Sequence, residues 1–181
     1  VQWDARTHAL EVSGADGLTL LRVDDPATLA HGELAVRHDA GQPLYGVGGY
    51  DAFQTDVSAG LLRQGKLRAE AGQQGNAGAP LVWSTAGYGV LLDALGADVR
   101  LDDHRIELRN DDARDAYLIV GRPAAIFAGI AQLSGRTPLF PKWAMGFTNS
   151  QWGIDEKELL AIVEGYRSRH IPLDNFTLDF D

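Results

Sequence analysis

Along the first 120 residues, apolar and polar positions alternate in short runs broken by turn formers. Segments 10–12, 18–23, 34–38, 79–84, 88–93, 99–101, 106–109 and 116–120 are rich in β-branched and aromatic residues, side chains that suit a pleated, half-buried surface. Gly14-Ala15-Asp16-Gly17, Asp24-Asp25-Pro26 and Asn110-Asp111-Asp112 separate them, and such residues favour turns through φ freedom, a preset φ or Asx hydrogen bonds. Residues 1–4 also read as part of a strand. Many short strands at regular spacing predict an antiparallel sandwich. Two stretches break the pattern. Residues 60–78 are polar, rich in Gly, Gln and Ala, and without period, which predicts a long loop. Tyr45-Gly46-Val47-Gly48-Gly49 predicts a turn with a close backbone approach.

After Gly121 the period changes. Pro123 suits the first position of a helix, Ile126, Phe127, Ile130 and Leu133 recur at helical spacing, and Gly135 suits its end. This predicts a helix at 123–134. The prolines of Thr137-Pro138-Leu139-Phe140-Pro141 cannot continue a helix, so a domain boundary is expected between 137 and 138. Residues 143–149 read as a buried strand. Asp155, with Glu158 three residues on, has the spacing of a capping box. Leu159, Leu160, Val163 and Tyr166 are expected on the apolar face of the helix it opens, and Arg167, Arg169 and His170 complement the dipole at its end. Pro172 stops that helix, and 176–180 read as a second strand. Strand, helix, strand in this order implies a parallel pair. The expected architecture is therefore mainly β. A sandwich over 1–137 is followed over 138–181 by one βαβ unit, cut off at its second strand.

Composition narrows the function. Over 181 residues, 45% apolar and 23% charged residues are ordinary for a globular protein. A net charge of -9 with a pI near 4.9 argues against nucleic-acid and anionic-membrane partners, which need a Lys/Arg surplus. Neutral ligands such as sugars are indifferent to that charge. Without cysteine there is no disulfide, thiolate metal site or thiol nucleophile. No apolar run approaches the roughly 20 residues of a membrane span. The chain opens on Val1, so its amino terminus reads as trimmed and leaves the compartment open.

Leu178-Asp179-Phe180-Asp181 is the strongest chemical signal. Two carboxylates end an otherwise apolar strand, and the carboxyl ends of parallel strands form the ligand-binding face. There Asp179 and Asp181 can bond sugar hydroxyls, with alternation placing them on one side; the alternative is a solvated strand-to-loop junction. Trp152, in Ser150-Gln151-Trp152-Gly153 after the first strand, can stack on the apolar face of a pyranose or simply pack its loop down. Asn149 and Gln151 are further hydroxyl partners. The glycines at 46, 48 and 49 lack phosphate-loop spacing. His8, His31, His38, His104 and His170 show no metal-ligand spacing. No Gly-x-Ser-x-Gly elbow is present. No metal or cofactor is called for.

Five ordered segments together resemble glycoside hydrolase family 31, the family of α-glucosidases, α-xylosidases and some α-galactosidases. They are Tyr45-Gly46-Val47-Gly48, Gly87-Tyr88-Gly89-Val90-Leu91-Leu92-Asp93, Asp115-Ala116-Tyr117-Leu118-Ile119-Val120-Gly121, Pro138-Leu139-Phe140-Pro141-Lys142-Trp143-Ala144-Met145-Gly146-Phe147 running on through Ser150-Gln151-Trp152-Gly153, and Ile171-Pro172-Leu173-Asp174 with Leu178-Asp179-Phe180-Asp181. The resemblance implies a galactose-mutarotase-like β-sandwich followed by the start of a (β/α)8 barrel. It implies a retaining mechanism with two aspartates, both of which come later in the family than the second barrel strand. No catalytic residue is therefore expected in this chain. It implies substrate-binding roles for Asp179 and Trp152 in the subsite of the cleaved sugar. Asp181 falls where residue type varies with sugar preference, and Asp there is more like the hexose-active members. The implied substrate is an oligosaccharide or α-glycoside, α-glucoside first and α-galactoside second. Two departures bear on the sugar. Gly49 stands where the family often has Glu, and the segment around Glu70 lacks the usual sandwich-loop Asp. Two other readings compete. One is a non-catalytic carbohydrate-binding or accessory module. The other is a mutarotase, which needs a His acid and a carboxylate base facing one cleft.

Overall fold

The computed structural model describes residues 1–49, 61–62, 65–70 and 77–179, and the chain divides into two compact units, Val1–Gly135 and Arg136–Asp181. The first is an antiparallel β-sandwich. One sheet holds β1 (Gln2–Asp4), β2 (Ala9–Ser13), β3 (Thr19–Asp24), β4 (Glu33–Arg37), β7 (Gly65–Glu70), β10 (Gly96–Leu101) and β11 (Arg105–Arg109), in the order β1-β2-β3-β4-β11-β10-β7. The other holds β5 (Leu44–Gly49), β6 (Leu61–Leu62), β8 (Ala77–Ser84), β9 (Tyr88–Leu92) and β12 (Ala116–Val120), in the order β12-β9-β8-β5-β6.

Period-two alternation builds the core. Val99 faces Leu108 across β10 and β11, and Ile106 and Leu108 face Val36 and Leu34 across β11 and β4. These meet Val47, Val82, Tyr88, Val90 and Leu92 of the second sheet in one buried cluster. The intervening residues of the larger sheet point outward and pair by charge, Arg109 with Glu33 at 2.9 Å, Arg68 with Asp98 at 2.9 Å and Arg37 with Asp24 at 2.7 Å. Such half-exposed pairs contribute about 0–1 kcal/mol each; their main effect is to keep that face polar.

Helix α1 (Pro123–Ser134) packs on β8, β9 and β12. Its Ile126 is fully buried, and a Cβ on Gly89 would stand 2.8 Å from the Ile126 Cγ2. Phe127 meets Trp83 edge-on, and Trp83 stacks on Tyr45.

Two local expectations are corrected in this unit. Residues 44–49 form strand β5 rather than a turn. The expected close approach is present, as a bulge. Gly46 and Gly48 have φ of +121° and +100°, and Cβ atoms there would lie 2.2 and 2.0 Å from the Leu81 and Ala77 carbonyl oxygens. Between them Val47 takes φ +54° while fully buried, a strained conformation for a β-branched residue that surrounding packing must hold. Residues 65–70, expected in a loop, form β7. Only Leu67 and Ala69 of that strand turn toward the core, too weak a stripe to read from sequence.

The second unit is a βαβ element: β13 (Thr148–Gln151), α2 (Glu156–Ser168) and β14 (Asn175–Leu178). The strands pair in parallel, with Asn149 opposite Phe176 and Gln151 opposite Leu178. The strand expected over 143–149 is confined to its last residues. Lys142–Met145 instead forms a short 3-10 turn, closed by the Gly146 N–H donating to the Trp143 carbonyl. α2 opens on the capping box expected from Asp155 and Glu158, with both reciprocal bonds formed, at 2.8 and 3.2 Å. Its covered face is Leu159, Ile162, Val163 and Tyr166. Leu160 is 59% exposed, because positions 159, 162, 163 and 166 share one side of a 3.6-residue helix and 160 does not. Among the described residues no helix is long and apolar enough to cross a membrane.

Candidate functional site

Register brings the candidate residues together. Because Gln151 is opposite Leu178, the next residues on each strand, Trp152 and Asp179, leave the same edge of the parallel pair. The Asp179 N–H donates to the Gln151 carbonyl at 3.0 Å and continues the ladder one step past the strand. That edge is the carboxyl end of both strands, where parallel α/β sheets bind ligands. Gly153, at φ +65°, turns the chain immediately after Trp152, and Trp152 is 69% exposed. Asp179 is exposed as well. Asp181 lies outside the described residues.

The two faces of the pair are distinguishable. Asn149 donates from its amide to the Tyr166 hydroxyl on α2 at 3.0 Å, so Asn149, Gln151 and their partners Phe176 and Leu178 occupy the helix side. Alternation then assigns Ser150, Thr177 and Asp179 to the opposite side, away from α2. Asn149 and Gln151, expected as hydroxyl partners for a ligand, are engaged elsewhere. The Gln151 amide donates to Asn149 Oδ1 at 3.1 Å, and Asn149 passes on to Tyr166.

Asp174 has a different task from the terminal acids. Its carboxylate accepts from the Phe147 N–H at 3.3 Å and lies against Gly146, where a Cβ would come within 2.2 Å of it. Its own N–H donates to the Phe147 carbonyl at 3.0 Å. Asp174 thus ties the start of β14 to the start of β13, at the amino end of the pair. Sequence reading missed Tyr166 as a polar partner, having placed it only on an apolar face; a phenol is amphipathic and serves both.

A cavity of about 760 Å3 lies on the outer face of the larger sheet, lined by Glu33, Lys66, Asp98, Arg100, Glu107 and Arg109 among others. It includes none of the candidate residues, and several of its charges neutralise one another. The candidate site at the strand ends therefore rests on residue chemistry and not on concavity. Among the described residues no group of three or more His, Cys, Asp or Glu could hold a metal ion.

Comparison with known proteins gives matches to nearly the whole chain and to its second part. Residues 137–181 match the model of the glycosyl hydrolases family 31 TIM-barrel domain. The chain is 32% identical over 95% of its length to a 1,6-alpha-glucosyltransferase from Sporosarcina globispora, and 29% identical over 90% to an alpha-xylosidase from Saccharolobus solfataricus. It spans only 14% and 22% of those two proteins. A Flavobacterium johnsoniae family 31 dextranase, solved as a mutant complexed with isomaltotriose, superposes with a TM-score of 0.70 at 16% identity, over 93% of this chain and 22% of that one.

Proposed function

The chain belongs to glycoside hydrolase family 31, and from that premise we propose that the protein carrying it is a retaining, exo-acting α-glycosidase. Its substrate is a terminal α-linked hexose, α-glucoside first and α-galactoside second. The observation that carries this reading is the 3.0 Å bond from the Asp179 N–H to the Gln151 carbonyl, which holds Asp179 and Trp152 at one carboxyl edge of a parallel pair. Such an edge suits a sugar. A carboxylate accepts from two neighbouring hydroxyls, and an exposed indole covers the apolar face of the ring.

In the proposed organisation, residues 1–137 are the galactose-mutarotase-like sandwich and 138–181 the first segment of the catalytic (β/α)8 barrel. Asp179, Asp181 and Trp152 bind the sugar to be cleaved. The nucleophile and the acid/base come from later parts of the barrel, and a covalent glycosyl intermediate passes to water with retained configuration. No metal or cofactor takes part. A glucosyl preference is supported by relatives named for glucosyl transfer and for dextran cleavage, and a hexose rather than a xylosyl substrate by the resemblance of Asp181 to the hexose-active members.

The test is the whole protein on aryl α-glucoside, α-galactoside and α-xyloside, with the first-formed anomer followed by NMR. Release of α-glucose, and its loss by roughly a hundredfold or more in Asp179→Asn, is the expected result. A folded protein inactive on all three substrates overturns the assignment.

A further inference from the structure

The helix-facing side of a parallel strand is ordinarily apolar, because helices cover it and water does not reach it. β13 departs from this. It reads Thr148-Asn149-Ser150-Gln151, and its helix side carries two amides. Covered amides cost free energy unless paired, and these two are paired in sequence: Gln151 Nε2 to Asn149 Oδ1 at 3.1 Å, then Asn149 Nδ2 to the Tyr166 hydroxyl at 3.0 Å. The Phe147 ring, 5.9 Å from that of Tyr166, packs beside the phenol. The relay therefore runs from the last turn of α2 to the last residue of β13. That residue is the one whose carbonyl accepts from the Asp179 N–H, and Trp152 follows it directly.

We propose that the Tyr166–Asn149–Gln151 relay is a positioning device that sets the end of β13, and through it the placement of Asp179 beside Trp152. The three residues do not touch substrate; they act through the Gln151 main chain. This rests on the sugar-binding reading of Asp179. An apolar pair at 149 and 151 would pack as well against α2 but would leave the strand end free to shift, since dispersion contacts are non-directional and hydrogen bonds are not. A misplacement of about 1 Å can lower turnover by ~10²-fold, so a device of this kind gains its effect from geometry rather than from stability.

Asn149→Leu and Asn149→Asp separate the two roles in the whole protein. The leucine breaks the relay at nearly constant volume. The aspartate keeps it, accepting from the Gln151 amide and from the Tyr166 hydroxyl, which reverses to become a donor. Asn149→Leu and Tyr166→Phe are expected to lower kcat by about 10-fold or more with KM changed by less than about threefold, and Asn149→Asp to recover kcat to within about threefold. Amide exchange at Asp179, read in the whole protein, supplies a measure independent of activity. It should quicken in Tyr166→Phe and Asn149→Leu and not in Asn149→Asp. Unchanged kcat and unchanged Asp179 exchange in Tyr166→Phe overturn the proposal, as does an Asn149→Asp variant no better than Asn149→Leu. If Asp179→Asn abolishes turnover while the relay variants are silent, only the relay falls. If Asp179→Asn is silent too, the sugar-binding reading falls and the relay's role with it.

Discussion

The sandwich and the βαβ unit are built with equal local care and end in different states. The sandwich closes two sheets over a common core in which Val36, Val82, Val90, Leu92 and Ile106 have no exposure at all. In the βαβ unit no described residue is fully buried, although α2 has a complete capping box and β13 and β14 a clean parallel ladder. Local signals suffice to start and stop elements. They do not supply burial. A two-sheet sandwich completes itself because each sheet is the other's cover, whereas a parallel pair needs neighbours on both faces and both edges. Trp143, Phe147, Trp152 and Leu178 are each more than half exposed.

The largest expected contrast is in side-chain truncation. Ile106→Ala removes a fully buried side chain and should destabilise the sandwich by about 2–5 kcal/mol in chemical denaturation. Ile162→Ala, on the half-covered face of α2, should cost well under half of that. Equal costs would erase the distinction between the units.

Alkaline unfolding sharpens the same comparison. Burial pushes the Tyr88 phenol up to about 12, opposed by the nearby Ser84 hydroxyl and assisted by the charge of Asp39, and the phenol donates to Gln42 Oε1 at 2.9 Å. A group whose folded pKa is raised favours the fold below its unfolded value and stops doing so as pH climbs past it. Sandwich stability should therefore be level up to about pH 10, the ordinary tyrosine value, and fall as pH rises toward 12. Tyr88→Phe should flatten that fall, as read by unfolding midpoints across the range.

The smallest effect concerns the cap. Asp155→Ala should cost about 1 kcal/mol of α2 stability, visible as faster amide exchange along Glu156–Ser168 with the sandwich midpoint unmoved. A shift in that midpoint would mean the two units do not respond separately.

Much of the fold was legible in the residues. Alternation at 34–37 and 106–109 reappears as the β4–β11 register, and the Asp155–Glu158 spacing as two hydrogen bonds. β5 and β7 were not legible, for opposite reasons. In β5 the glycines that signal a turn serve a bulge inside a strand. In β7 the inward stripe is only Leu67 and Ala69, too small for a hydrophobic signal although Ala69 is fully buried. Of the candidate site, the placement of Asp179 and Trp152 at the carboxyl end of the pair was legible from two short motifs, but the bonding of Asn149 and Gln151 with Tyr166 was not.

Sequence by itself determined where α1 begins and ends and where α2 opens, because caps, glycines, prolines and periodicity act between residues a few positions apart. Tertiary structure alone decided which face of β13 meets α2, that Tyr166 receives Asn149, and that Asp179 stands next to the Gln151–Trp152 step. Those contacts join residues far apart along the chain, and parallel pairing gives no local preference for one register over another. The Asp174–Phe147 and Asn149–Tyr166 hydrogen bonds are the tertiary contacts that accompany the observed one.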